Sequence, residues 1–89
     1  MAEETSQYQI LFSRKAQKDI VELTEQQKRK LKQILELIIA VNPYRGKALK
    51  GKLKGLHSYR LNRKDRVLYE IYETDKTVLI IRARTHYGE

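Results

Sequence analysis

The run Arg66-Val67-Leu68-Tyr69-Glu70-Ile71-Tyr72-Glu73, then Thr74-Asp75-Lys76, then Thr77-Val78-Leu79-Ile80-Ile81-Arg82-Ala83-Arg84 decides the fold. Val67, Tyr69 and Ile71 alternate with Leu68, Glu70 and Tyr72, the period of a strand that buries one face. Val78 and Ile80 share a face in the same way, and Thr74-Asp75-Lys76 is short enough for a hairpin turn. Upstream, residues 56–62 repeat the pattern, with Tyr59 and Leu61 on one face and Arg60 on the other. Arg63-Lys64-Asp65 then makes a second short turn. The three segments 56–62, 66–73 and 77–84 therefore read as an antiparallel meander.

Working back toward the N-terminus, Tyr8, Ile10 and Phe12 alternate with Gln9 and Leu11 as a short strand. Ser13 offers a helix N-cap, and Ala16, Ile20 and Leu23 give one apolar face to a helix of about ten residues. Thr24 with Gln27 three residues on has the pattern of a capping box. From there Leu31, Ile34, Leu35, Ile38 and Ile39 follow the spacing of an amphipathic helix. That helix should stop near Val41, because Asn42 precedes Pro43 and a residue before proline is pushed out of the helical region. Residues 43–55, polar and basic with three Gly, read as a connection with little regular structure. The order is β-α-α-β-β-β: an α+β fold in which an N-terminal strand and a helical hairpin pack on one face of a small twisted antiparallel sheet. The opposite sheet face is left for a ligand.

The chain of 89 residues allows one domain, residues 1–89, with residues 1–7 expected to be flexible. It carries 19 Lys+Arg against 11 Asp+Glu, a net charge of +8, no Cys and two His. Disulfides and thiolate metal sites are excluded, and two His make no structural zinc site. Met1-Ala2-Glu3-Glu4 is unlike a signal peptide, and the longest apolar runs are far too short to span a membrane. No membrane association and a cytoplasmic location are expected. Such a domain attracts a polyanion. The charge is concentrated: nine basic residues lie between Tyr44 and Arg66, with Asp65 the only acid, whereas residues 13–41 mix seven basic with four acidic residues. Clustered charge of that kind is the footprint of phosphate binding.

Three groups could carry chemistry. Arg60 and Arg66, on adjacent strands across a short turn, can point to the same sheet face and clamp a phosphate. Near the C-terminus, Arg82 and Arg84 precede His86 and Tyr87; an imidazole can protonate a departing alkoxide, and a tyrosine can stack on a nucleobase. The lysines Lys47, Lys50, Lys52 and Lys54 can each neutralise a phosphate, and an amine crowded by other cations can serve as a base. His57 has no such company and reads as a bystander. Tyr8, Tyr59, Tyr69 and Tyr72 read as core or half-buried sheet residues. No phosphate-binding glycine motif and no Ser-His-Asp arrangement is present.

Together these residues resemble a family. Asn42-Pro43-Tyr44-Arg45-Gly46-Lys47, Leu53-Lys54-Gly55, Tyr59-Arg60-Leu61, Asp65-Arg66-Val67-Leu68-Tyr69 and the terminal Arg84-Thr85-His86-Tyr87 are similar to the RelE/ParE superfamily, and within it to the YoeB/Txe toxins. The resemblance runs from about Tyr8 to Tyr87 and implies a RelE-like fold. It implies a toxin that cuts mRNA on the ribosome, at the small-subunit decoding site, without a cofactor. A cognate antitoxin encoded in a neighbouring gene is implied as partner, the toxin itself being a monomer, a homodimer or part of that complex. By the same resemblance Arg66, His86 and Tyr87 are the catalytic positions, and Lys50 and Arg60 contact RNA, as do Lys47, Lys52, Lys54 and Arg84 by their charge. Lys47 stands where YoeB-like toxins place a glutamate base. Two other readings stay open: inhibition of DNA gyrase by binding, as ParE-type relatives act, and a nucleic-acid-binding module without catalysis.

Overall fold

In a computed structural model, which describes residues 7–85, Ser13 both ends the first strand and starts the first helix. Strand β1 is Gln9–Phe12 and helix α1 is Arg14–Val21. The Ser13 hydroxyl accepts from the Ala16 N–H at 3.1 Å and donates to the Ile81 carbonyl at 2.8 Å. One side chain thus caps the helix and ties it to the sheet. Helix α2, Glu25–Ile34, opens on the expected capping box: Gln27 N–H donates to Thr24 Oγ1, and Thr24 N–H donates to Gln27 Oε1. Past Ile34 the helix does not continue as α but widens into one π turn, Leu35–Ile39, closed by Ala40 N–H to Leu35 O at 2.8 Å. The extra residue in the turn lets Leu35, Ile39 and Ala40 all bury, and frees the Ala40 carbonyl to accept from Tyr8 N–H.

Strands β2 (Lys47–Ala48), β3 (Leu56–Arg60), β4 (Arg66–Tyr72) and β5 (Thr77–Thr85) follow. The sheet runs β1-β5-β4-β3-β2. The meander β3-β4-β5 is antiparallel as expected, but β1 joins β5 in parallel, Ile10 opposite Val78, so the sheet is mixed. The connection 43–55 is also more ordered than its composition suggests. It holds the 3₁₀ turns Pro43–Arg45 and Gly51–Leu53 and contributes β2 to the sheet edge. Among the described residues no helix is long and apolar enough to cross a membrane.

The helix-side face of the sheet makes the core: Val67, Tyr69, Val78, Ile80 and Ala83 are fully buried against Ala16, Leu31 and Ile39. Tyr69 is the largest of them. Burial pushes its hydroxyl up to about 12, with a hydrogen bond from the Gly46 backbone offsetting part of the rise. The hydroxyl donates to the Pro43 carbonyl at 2.7 Å. His57 stacks on the Tyr69 ring, centroids 5.7 Å apart, and meets Tyr44 edge-on at 5.9 Å. Its role is in packing: it lies between the connection and the sheet, and burial lowers its pKa.

At the surface, Glu73 collects three donors, two from distant segments and one from its own hairpin: Tyr8 hydroxyl at 2.8 Å, Tyr44 hydroxyl at 2.7 Å and Lys76 ammonium at 2.8 Å. This joins the entry to β1, the Pro43–Arg45 turn and the β4–β5 hairpin.

Two predictions test these ties. A methyl added at Gly46 would stand 2.1 Å from Tyr69 Oη and 2.7 Å from Ser58 O. Gly46→Ala should therefore cost about 1–3 kcal/mol, and Tyr69→Phe about 1–2 kcal/mol through the Pro43 carbonyl left without its donor. Thermal melts check both, and a wild-type melt for Gly46→Ala would show that the approach is not close. Hydrogen bonds from Lys76, Tyr44 and Tyr8 hold the Glu73 carboxyl down at about 2, below its ordinary 4.5. Its contribution is therefore complete above pH 4.5 and is lost as pH falls toward 2. The melting difference between wild type and Glu73→Gln should shrink over that window; a difference independent of pH would refute the tie.

Candidate nucleic-acid interface

Strand register decides which cations meet. Arg60 and Arg66 are direct partners across the β3–β4 ladder. Directly opposed residues in an antiparallel pair project to the same face, with Cβ atoms about 4.5–5.5 Å apart. The turn between them is rigid: Asn62 Oδ1 accepts from the N–H groups of Lys64 and Asp65, both at 2.8 Å, and the Asp65 carbonyl accepts from Leu61 and Asn62. The Asp65 carboxylate is buried and takes a hydrogen bond from Asn62 Nδ2 at 3.3 Å.

Lys47 belongs to the same patch. It pairs with Ser58, which lies two residues from Arg60 and so on the same face. Diagonal neighbours of this kind lie about 7–8 Å apart. The Ser58 hydroxyl is buried beneath and finds no hydrogen-bond partner among the described residues. On the other side, Arg66 is opposite Thr85, the last described residue. The β4–β5 register slips between Arg66 and Leu68, and a bulge of this kind commonly re-aims side chains beside a site. His86 and Tyr87 lie outside the described residues.

The other candidates are elsewhere. Lys50, Lys52 and Lys54 are exposed around the Gly51–Leu53 turn, at the Leu56 end of β3. Arg60 is at the opposite end of that strand, about 13 Å away at ~3.3 Å per residue. The lysine run thus divides, with only Lys47 joining the arginine pair. Arg84 does not join it either: its guanidinium donates to Glu22 Oε1 at 2.9 Å. Arg82 forms a fork with Asp19, at 2.7 and 3.0 Å, and Ala83 N–H adds a third donor. Burial alone would raise the Asp19 carboxyl, but the bonds from Arg82 and Ala83 outweigh it and hold it below the usual carboxylate range. The two arginines of β5 are neutralised by α1. Arg60 and Arg66 have no carboxylate partner among the described residues.

A groove of about 440 Å³ between β1 and α2, floored by Ile10, Phe12, Leu31 and Leu35, is mostly apolar and distant from this patch. Lys28, Lys32 and Glu36 also line it, and it shares no residue with the Arg60–Arg66 patch. The charged patch on the open face is the candidate site, an arrangement suited to a phosphodiester with one oxygen on each guanidinium.

Opposed like charges destabilise a strand pair, so the site should be held at some expense of stability. Arg60→Gln is expected to stabilise the fold by about 0.2–1 kcal/mol at low salt, the gain fading near 1 M salt. Chemical denaturation at two ionic strengths checks this, and a salt-independent change would mean that repulsion is not its source.

Comparisons with known proteins follow the geometry. A search of curated protein sequences finds no match. Among solved structures, the chain is similar to one from the RelBE2 toxin–antitoxin complex of Mycobacterium tuberculosis, with 27% identity and a TM-score of 0.81 over 97% of this chain and 98% of that one. It is similar to a chain of the heterotetrameric YoeB–YefM complex of Staphylococcus aureus, with 25% identity and a TM-score of 0.74 over 90% and 98%. It shares its fold with the YoeB/ParE toxin of Agrobacterium tumefaciens, at 17% identity and a TM-score of 0.79 over 89% and 99%. The family model for the YoeB-like toxin of bacterial type II toxin–antitoxin systems matches residues 12–87, and the chain belongs to that family.

Proposed function

We propose that this toxin is a cytoplasmic endoribonuclease that cuts mRNA at the decoding site of the small ribosomal subunit, and that an antitoxin encoded beside it blocks the cutting face. The observation that carries the reading is the opposed Arg60–Arg66 pair, free of carboxylates among the described residues and flanked by Lys47. Antitoxin as partner is supported by the RelBE2 and YoeB–YefM complexes, whose toxin chains this one resembles.

The chemistry follows from the ribose. Its 2′ oxygen attacks the adjacent phosphorus and loses its proton, while the bond from phosphorus to the 5′ oxygen breaks. That oxygen takes a proton from His86, leaving a 2′,3′-cyclic phosphate on one fragment and a 5′-hydroxyl on the other. Negative charge builds on the non-bridging oxygens in the transition state, where Arg66 and Arg60 stabilise it. Tyr87 stacks on or hydrogen-bonds the neighbouring base. Lys47 occupies the family's glutamate position, so the 2′ proton passes either to an unprotonated lysine amine or to water, with alignment of the hydroxyl supplying much of the rate in the second case. Alignment of the 2′-hydroxyl alone can supply ~7–11 kcal/mol of the barrier.

Cleavage of mRNA on translating ribosomes, with the ends mapped, tests the proposal. Arg66→Ala should reduce cleavage ~10²–10³-fold and His86→Ala ~10²–10⁴-fold. Intact mRNA with loss of gyrase supercoiling would replace the nuclease reading with the ParE-type one. Full cleavage by His86→Ala would remove that residue from the mechanism.

A further inference from the structure

Strand β2 is two residues long, and its ladder ends at Lys47 opposite Ser58. Beyond that point Tyr59 and Arg60 have no β2 partner, so the outer edge of β3 is open. A groove of about 540 Å³ begins there and runs to α2 and the π turn. Its rim carries Lys30, Arg45, Lys47 and Arg60, and among the described residues no acid lines it. Its floor is apolar and aromatic, formed by Ile34, Ile38 and the half-buried Tyr59. Lys30 comes from α2, more than a dozen residues from the basic run that the sequence emphasises.

We infer that this groove holds one nucleotide of the RNA strand, beside the nucleotide held by the Arg60–Arg66 pair. Lys30 and Arg45 neutralise its phosphate, and Tyr59 and Ile38 receive its base. The inference rests on the nuclease reading for the identity of the strand. Three features select RNA as occupant. Pockets for ligands of nucleotide size are ~300–1,000 Å³ and mostly apolar with a few placed polar groups. Aromatic floor and cationic rim match the two halves of a nucleotide, because bases stack on rings and phosphates seek Lys and Arg. Finally, Lys47 and Arg60 belong to both the groove and the open-face patch, so a strand can turn from one to the other around the free edge of β3. The groove then contacts a base away from the scissile bond, which makes it a place where sequence preference can arise.

The test uses the full-length chain and a 2′-O-methylated RNA oligonucleotide, which lacks the attacking hydroxyl and is not cut. Binding is measured by fluorescence anisotropy over a range of salt. Lys30 and Arg45 are exposed, and neither is tied into the core. The Lys30→Ala/Arg45→Ala double variant should lose affinity at low salt and lower the slope of log K against log salt by ~0.7 units, the value for one single-strand phosphate contact. An oligonucleotide of the same length with abasic positions should bind the wild type roughly five- to 150-fold more weakly if the missing base is the one stacked in the groove. Arg66→Ala, assayed in parallel for cleavage, separates the two readings. An unchanged affinity and slope for the double variant overturns the groove while the nuclease site stands. Full cleavage by Arg66→Ala, with weakened RNA binding by the double variant, upholds the groove and displaces the nuclease site. Weaker antitoxin binding with unchanged RNA binding also overturns the inference, and assigns the groove to the partner protein.

Discussion

The Tyr69 hydroxyl, fully buried in the middle of the sheet, has one direct acceptor in reach, the carbonyl of Pro43 at 2.7 Å. An unpaired hydroxyl in that place would cost about 1–3 kcal/mol, so the connection after the helices must come to the tyrosine. It can do so only because position 46 has no side chain, since even a methyl would overlap the hydroxyl and the Ser58 carbonyl. Once the connection is pinned there, the next residue is Lys47, and its pairing with Ser58 follows from continuity of the backbone. A buried polar group in the core therefore sets the position of a cation on the outside. His57, stacked on the same ring, closes the gap that remains.

The distribution of ion pairs explains how so basic a chain keeps part of its charge available. Acids are used on the helix side, where Asp19 and Glu22 of α1 and its cap take Arg82 and Arg84, and these bonds also dock the helix onto β5. Glu73 is used at the sheet's far end to join three segments. In the β3–β4 turn the buried Asp65 carboxylate accepts from Asn62 Nδ2, and Asn62 Oδ1 accepts from the turn backbone. Lys47, Arg60 and Arg66 are among the cations that no carboxylate of the described residues pairs, as are exposed lysines and arginines of the helices and of the 43–55 connection. What sets the open-face patch apart is the direct opposition of two of its charges across the β3–β4 ladder.

Local features were legible in the sequence because their causes are local. The Ser13 cap and the Thr24–Gln27 box depend on residues three apart, and the strand alternation that made Tyr69 a core residue depends on neighbours two apart. The opposition of Arg60 and Arg66 follows from the length of the turn between them, a local feature of the sequence. Features set by distant partners were not legible. Parallel pairing of β1 with β5 joins Ile10 to Val78, and nothing in either segment encodes the direction. The π turn depends on what Leu35, Ile39 and Ala40 meet across the core. The lysines look like one run in sequence, but a strand edge and a glycine-rich turn send Lys47 one way and the other three elsewhere. Arg84 looked available because its acid, Glu22, lies on a helix whose docking the sequence does not give.

A free toxin and a complexed one differ in how the repulsion within the cationic patch is balanced. Lys47, Arg60 and Arg66 repel one another across a few ångströms of sheet, and the fold tolerates this because buried contacts elsewhere hold the strands in register. Any polyanion that binds the folded chain and not the unfolded one stabilises it by RT ln(1 + L/Kd), where L is its free concentration. On the proposed reading, RNA and an acidic segment of an antitoxin both satisfy that condition. The cationic patch is then a weakness of the isolated chain and the source of its affinity for either occupant. Occupation by one excludes the other by charge as well as by volume, since an anion already seated cancels the field that would draw the second. If Arg60 and Arg66 bind the scissile phosphate as proposed, silencing by a partner protein needs no conformational change in the toxin: covering the two arginines is sufficient.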